Sequence, residues 1–334
     1  MACLTPPVYT QSRVCTPHKT GQTPQQPITR LAPSPTGALH LGNARTFFIN
    51  WALAKQRNWR IVLRIEDLDT PRVKPGVIDQ TIKTLEWLGV DWEGEPQIQS
   101  SQLASHMEAM QRLARLGHVY PCELSRSQIQ LATNAPNEGD HEIRFSPKLR
   151  PVEIPERFTE AGTNWRFMVH DQDVEFIDGF LGDQRLNPSQ SIGDFVVWTQ
   201  RQSPSYQLAV VVDDYTQAIT HIVRGDDLLD STARQLLLMD ALGYKRTPEF
   251  VHLPLVRGSD GRRLAKRHGD TRIDHYIQLG VSTERIIGLL AYWSGIQTTR
   301  NEMSAQHFLE GFSLDTLPTT DIVFTPEDDL WLRS

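Results

Sequence analysis

A helical period of apolar residues starts at Thr46, where FFINWALAKQ puts Phe47, Phe48, Trp51, Ala52 and Ala54 on one candidate buried stripe. A short apolar strand opens at Ile28, and Arg60–Ile65 reads as a second strand by its length and by Ile61, Val62 and Leu63. Strand, helix and strand in this order predict a βαβ unit, whose parallel strands carry loops and ligands at their carboxyl ends. Helical patterns follow over Gly76–Leu88 and Gln102–Leu116, the second closed by Gly117 as a C-cap. After Tyr120-Pro121-Cys122 the period dissolves, and Asn134, Pro136, Asn137, Gly139, Pro147, Pro151 and Pro155 mark residues 123–163 as an irregular insertion.

Strand-like runs resume at Trp165–Val169 and Phe195–Thr199. The continuous apolar run Tyr206–Asp214 reads as a central strand of a covered parallel sheet, and Ile219–Val223 as another. Asp230–Leu242 is an amphipathic helix ended by Gly243, and Phe250–Val256 reads as the last strand. Two helical segments around Gly280 fill Asp274–Trp293, and an acidic stretch with Asp321, Glu327, Asp328 and Asp329 finishes the chain.

Composition narrows the class. With 334 residues, 39% hydrophobic and 22% charged, the chain can hold one large domain with an insertion or two modest domains. No run approaches the roughly 18 apolar residues of a membrane span, so no membrane association is expected. A net charge of −6 argues against non-specific coating of nucleic acid, while a local basic groove for a structured RNA stays open. Cys3, Cys15 and Cys122 are too few and scattered for a disulfide framework, which suits a reducing cytosol and a cytoplasmic protein. Residues 1–27, with Pro6, Pro7, Pro17, Pro24 and Pro27 among Thr and Gln, read as a disordered tail. The first acidic residue is Glu66, yet the leader lacks the amphipathic helix of an organellar transit peptide.

The candidate chemistry starts in ITRLAPSPTGALHLGNAR, Ile28–Arg45, a strand-to-helix turn in which Gly37 and Gly42 let backbone approach a ligand. Helix N–H groups and the positive dipole end make such a turn a phosphate seat. His40 at its entrance either donates to a phosphoryl oxygen or only caps the turn. Arg64–Arg72, RIEDLDTPR, gathers three carboxylates and two arginines at a strand end, as a solvated loop or as part of the site. Arg224, before Asp226 and Asp227, is an ion-pair partner or a substrate ligand. After Phe250–Val256 comes a turn with Ser259-Asp260-Gly261 and a basic loop, Arg262–Arg267.

PSPTGALHLGNAR resembles the signature of glutamyl-type class I aminoacyl-tRNA synthetases, with His40-Leu41-Gly42-Asn43 in the place of the "HIGH" tetrapeptide and Asn43 replacing its second His. RIEDLDTPR resembles the second block of that family, which implies that Glu66 holds the substrate ammonium through charge-assisted hydrogen bonds. RLAKR, Arg263–Arg267, resembles the "KMSKS" loop, Lys266 matching its second lysine and Arg263 replacing the first. Tyr206 and Arg224 match a substrate-contacting Tyr and Arg. The likeness is strong over residues 28–296 and weak beyond.

The resemblance implies an α/β fold: a class I synthetase Rossmann-like parallel sheet with an inserted acceptor-binding-type subdomain and a short helical C-terminal region. The expected division is a tail over 1–27, catalytic halves over 28–119 and 194–270, an insertion over 120–193, and a helical region over 271–334 without an anticodon-binding domain. It implies activation of L-glutamate with ATP and Mg²⁺. Arg30 and Arg224 supply two cations for two carboxylates, neither assigned to either, and Glu66 the anion for the ammonium, with Ala32, Ser34 and Tyr206 completing the glutamate pocket. His40, Gly42, Asn43, Arg263 and Lys266 would meet ATP, His40 and Lys266 as the catalytic pair.

The family commonly binds zinc in the insertion. Here Cys122 stands alone, Leu124 takes its partner's place, and His141 and Glu142 read as surface residues, so no zinc is expected. Gln207 after the Tyr, where full-length members usually carry Asn, resembles the truncated paralogues that modify queuosine in tRNA(Asp); neutral drift is the alternative. The expected partners are therefore glutamate, ATP and tRNA(Asp) containing queuosine, acted on by a monomer. A ligase charging a tRNA 3′ end or another carrier, and a non-catalytic nucleotide- or tRNA-binding paralogue, are the competing readings.

Overall fold

The computed structural model describes residues 26–133, 143–159, 162–262, 264 and 270–334. In chain order the strands are β1 (Ile28–Leu31), β2 (Arg60–Ile65), β3 (Gln97–Ile98), β4 (Val119–Cys122), β5 (Asn164–Phe167), β6 (Val174–Asp178), β7 (Gly182–Leu186), β8 (Phe195–Thr199), β9 (Ser203–Pro204), β10 (His221–Gly225), β11 (Glu249–Leu253), β12 (Val256–Arg257) and β13 (Ile322–Val323). The helices are α1 (Leu41–Gln56), α2 (Val77–Trp87), α3 (Leu103–Arg115), α4 (Arg126–Thr133), α5 (Pro188–Ser191), α6 (Tyr206–Thr216), α7 (Leu229–Ala241), α8 (Ile273–Gln278), α9 (Thr283–Trp293), α10 (Ala305–Gly311) and α11 (Pro326–Arg333). Among the described residues no helix is long and apolar enough to cross a membrane.

The chain forms two compact units, one of residues 101–218 and 229–247, the other of residues through 100, 219–228 and 248–334. The second unit contains a parallel sheet in the order β3-β2-β1-β10-β11. Ile61, Val62, Leu63 and Ile65 of β2 are all buried, so both faces of that strand are covered, as parallel sheets require. Between β1 and β2, α1 buries Phe48, Trp51, Ala52 and Ala54 of the expected stripe and leaves Phe47 half-buried. Ile49 and Leu53 join that face, and Phe48 meets Phe308 of α10 edge-on at 4.7 Å. The C-terminal helices are short and capped: Ser282, Ser304 and Thr325 each accept from a backbone N–H of the following turn, and Thr325 with Asp328 closes a capping box.

The expected last strand is divided. Pro254, which has no N–H to give, follows β11; β12 then pairs in parallel with β13, which is the last strand of the described chain.

The other unit carries an antiparallel sheet in the order β4-β5-β8-β9, the hairpin β6-β7, and helices α3, α6 and α7. Here the structure overturns the predicted central strand: Tyr206–Asp214 is the body of helix α6, capped at the extended residue Ser205. Every residue from Leu208 to Asp214 is buried, so that stretch of the helix has no solvent-facing side, and exposure is left to its ends at Tyr206, Tyr215 and Thr216. A continuous apolar run marks burial on all sides, which strand and helix satisfy equally. Among the described residues of 123–163, α4 and a 3₁₀ turn at Pro147–Leu149 are the regular elements. Gly193, at φ +68, lets that segment close: a Cβ there would stand 1.9 Å from the Phe145 carbonyl oxygen.

Candidate active site

The carboxyl ends of β2, β1 and β10, neighbours in the parallel sheet, bring three of the predicted charges to one edge. Arg30 is the third residue of β1 and 4% exposed; its Nη1 donates to the Val223 carbonyl at 3.4 Å. Glu66 immediately follows β2, and its N–H donates to the Pro33 carbonyl at 3.0 Å, which ties the second predicted block to the first turn. Its carboxylate accepts from Nη2 of Arg64 at 3.2 Å, with both side chains nearly excluded from solvent. The first part of the block is thus buried, whereas the side chains of Asp69 and Arg72 at its far end are exposed and pair with each other at 3.4 Å. Asp67 is buried as well and accepts from the N–H and hydroxyl of Ser100 at 2.8 and 2.6 Å. Arg224, on β10, is 5% exposed, and its Nε donates to Nε2 of His252 at 3.0 Å.

The turn after β1 carries Ala32, half-buried, and Ser34 and Gly37, exposed. His40 is the N-cap of α1, and its Nδ1 accepts from the Asn43 N–H at 3.3 Å. The capping alternative is thus observed. A ring accepting at Nδ1 carries its neutral-state proton on Nε2. Gly42 is needed for this arrangement, since a Cβ there would meet the His40 ring at 3.2 Å. The helix entrance is not open throughout: the Leu41 N–H donates to the Thr271 carbonyl at 3.0 Å.

Arg45, the last residue of the first motif, is buried and donates through Nη1 to the Pro254 carbonyl at 2.7 Å, pinning α1 to the chain leaving β11. Burial brings its guanidinium down to about 10, against the opposing pull of Asp321. Asp321 also accepts from the Leu255 N–H at 2.8 Å and pairs with Arg257, so the root of the basic loop is held by the segment that ends in β13. That pairing raises the Arg257 pKa, whereas burial, then Asp321 and Asp227, push the Asp226 carboxyl up. Arg263 and Lys266 of the loop lie outside the described residues, as do His141 and Glu142.

Tyr206 and Gln207 stand in the first turn of α6, in the other unit, Tyr206 being 39% exposed. Nε2 of Gln207 donates to the Ser231 hydroxyl and its Oε1 accepts from Nε2 of Gln235, both at 3.0 Å. An Asn at this position would be one methylene short of both partners.

Sequence reasoning missed the supports. His252 and Asn50 are buried, and Asn50 bridges the Arg30 carbonyl and the Thr29 hydroxyl at 2.9 and 3.0 Å. A signal existed for both: each is a lone polar residue in an apolar segment, FVHL and FFINWAL. Such a residue needs a partner once buried.

Cys122 sits in an apolar cluster. It is buried with Tyr120, Ile129 and Phe145, with Leu124 packed against them, and among the described residues no group of three or more His, Cys, Asp or Glu could hold a metal ion. The described residues packed around Cys122 are apolar, and His141 and Glu142 of the same insertion lie outside the described residues.

Residues 27–325 match the family of class I tRNA synthetases (E and Q), catalytic domain. The glutamyl-Q tRNA(Asp) synthetase of Rhodopirellula baltica is 43% identical over 286 residues, covering 80% of this chain and 85% of that protein. The glutamate–tRNA ligase 2 of Parvibaculum lavamentivorans is 36% identical over 296 residues, 87% of this chain and 59% of that protein. Among solved structures, a glutamate–tRNA synthetase from Elizabethkingia anophelis superposes with a TM-score of 0.76 at 25% identity, covering 92% of this chain and 70% of that one.

Proposed function

Because the chain belongs to the family of class I tRNA synthetases (E and Q), we propose that it is an ATP-dependent ligase of the cytoplasm that activates L-glutamate and transfers it to the queuosine base of tRNA(Asp). The observation that carries the amino acid assignment is the convergence of Arg30, Glu66 and Arg224 on the carboxyl ends of three adjacent parallel strands. Two guanidiniums match the two carboxylates of glutamate, and one carboxylate matches its ammonium. Ala32 and Ser34 complete the pocket in this reading, and Tyr206, which stands in the other unit, keeps the hydrogen-bonding role that the resemblance implies.

In the first step an oxygen of the substrate α-carboxylate attacks the α-phosphorus of MgATP, and pyrophosphate leaves. The protein positions the two reactants and stabilises charge that shifts onto the phosphates. His40, through Nε2–H, and the α1 entrance with Gly42 and Asn43 serve the phosphates from one side; Arg263 and Lys266 serve them from the basic loop. In the second step a nucleophilic group of the modified base attacks the acyl carbon and AMP leaves. Support for this acceptor comes from the higher identity to the glutamyl-Q relative and from Gln207, whose amide is built into α7. The division into a tail, two catalytic halves, an insertion and a helical end is part of the same proposal.

The test has two arms. Glutamate should drive ATP–pyrophosphate exchange without tRNA, and glutamine, which leaves one guanidinium without its anion, should be a poor substrate by about 1.5–3 kcal/mol. Labelled glutamate should then attach to queuosine-containing tRNA(Asp) even after its 3′ adenosine is removed. Labelling of queuosine-free tRNA(Glu) at its 3′ end would instead establish an ordinary charging enzyme.

A further inference from the structure

In the unit with the parallel sheet, the segment from Pro254 to Arg257 is gripped from two sides. From one side α1 reaches it: Nη1 of Arg45 donates to the Pro254 carbonyl at 2.7 Å, and a Cβ on Gly42 would stand 3.5 Å from Cβ of Val256, so the first turn of the helix rests on β12. From the other side comes the chain after α10. The Ile322 N–H donates to the Leu255 carbonyl and the Phe324 N–H to the Arg257 carbonyl, both at 2.8 Å, in parallel register. One side chain reinforces this second grip. Asp321 accepts from the Leu255 N–H through Oδ1 at 2.8 Å and from Nε of Arg257 through Oδ2.

The reinforcement matters because β12 and β13 have two residues each, and so short a pair is marginal without further support. A half-buried carboxylate supplies it with charge-assisted bonds, one to the backbone and one to a guanidinium. Asp321 also opposes the effect of burial on Arg45, so a single anion acts on both arginines that hold the segment. What the segment carries is the entrance of α1. His40 caps that helix, and Gly42 and Asn43 form its first turn. Misplacing a positioning group by about 1 Å costs about 100-fold in rate, so the bed under this turn bears on the reaction.

We propose that Asp321 is a positioning residue for the phosphate seat: by fixing β12 through Leu255 and Arg257, it holds the surface on which the first turn of α1 is placed. This rests on the reading that the α1 entrance meets ATP. In this role Asp321 touches no reactant, and no step of the reaction passes through it.

The experiment is glutamate-dependent pyrophosphate exchange with the full chain, measured separately against ATP and against glutamate. No exchange in the parent would overturn the underlying reading and this inference with it. Given exchange, Asp321→Ala should lower kcat/KM for ATP about 10- to 100-fold while the glutamate KM stays within about 3-fold. Asp321→Asn keeps an acceptor for the Leu255 N–H, loses the charge toward Arg257, and should fall between the parent and the Ala variant. A control separates placement from stability: Thr325→Ala removes the cap of α11 in the same part of the chain and should lower the denaturation midpoint while both KM values stay as in the parent. Arg45→Met releases the grip from α1. Since both grips act on one segment, the double variant with Asp321→Ala should lose no more than about 3-fold beyond the more impaired single variant. Fully additive losses, parent-like ATP kinetics in Asp321→Ala, or an equal fall in Thr325→Ala would overturn the inference. If the buried Arg45→Met does not fold, Asp321→Ala and Thr325→Ala decide it by themselves.

Discussion

Two of the places where this chain buries charged groups hold them with different partners. In the insertion unit, the Asp194 carboxylate accepts from the Tyr120 hydroxyl at 2.5 Å, from Nε and Nη2 of Arg150 at 2.7 Å each, and from the Val169 N–H at 2.8 Å. Its own carbonyl takes Nη1 of Arg166 at 2.7 Å. Burial and this carboxylate together drive the Tyr120 pKa far up, so the phenol stays a donor at any ordinary pH. At the parallel-sheet edge, Arg30 donates to the Val223 carbonyl at 3.4 Å, Arg64 to Glu66 at 3.2 Å, and Arg224 to His252 at 3.0 Å and to the Leu228 carbonyl at 3.4 Å. The same side-chain types thus do two jobs. In the insertion unit one carboxylate gathers several donors to hold the fold; at the sheet edge, in the function proposed above, the guanidiniums of Arg30 and Arg224 also meet a substrate carboxylate.

The largest effect expected from this contrast is on stability. Asp194→Ala leaves Arg150 and Tyr120 facing a lost anion and should cost about 3–5 kcal/mol in urea denaturation, the usual cost of breaking a buried pair. Arg224→Ala should cost far less stability and show its loss in glutamate binding. Equal destabilisation by the two substitutions would erase the distinction between a fold network and a substrate network.

Next in size is a catalytic effect without a stability effect. Lys266→Ala should lower the activation rate about 10²- to 10³-fold, as loss of a charge aimed at the transition state does, with a smaller change in glutamate affinity and no change in the denaturation midpoint. Unchanged turnover would show that the RLAKR loop is not the catalytic loop.

How far the sequence reached follows the same divide. The β1–α1–β2 unit and the Glu66 block were legible because a strand-to-helix turn and its apolar period are local features, written in consecutive residues. The helix at Tyr206–Thr216 was not legible, since burial on every side removes the polar face that separates period 2 from period 3.6. The strand over Phe250–Val256 was read one element too long because Pro254 breaks a ladder that only a partner strand defines. Arg45, Asn50 and His252 could be suspected as buried polar residues, but their partners, Pro254, Arg30 and Arg224, lie on other elements and come together only on folding.

The smallest effect touches both regions alike. His118, beside β4, is pushed below its ordinary value of 6.5 mainly by burial and further by His170, with Asp240 opposing. His221, on β10 and stacked at 3.9 Å on Trp59, is lowered first by burial, with Glu249 opposing. In both cases the folded state holds the ring neutral while the unfolded chain takes up its proton near pH 6.5. Below that pH the unfolded state binds more protons, so the contribution is complete above 6.5 and falls away as the pH drops through the lower folded values. His118→Gln should therefore flatten the decline of stability below pH 6.5 and leave the slope above pH 7.5 as it was; His221→Gln should do the same. Denaturation midpoints across this pH range measure it. A decline as steep in the double variant as in the parent would mean that acid destabilises the chain through its saturated carboxylates, returning the weight to Asp194 and its neighbours.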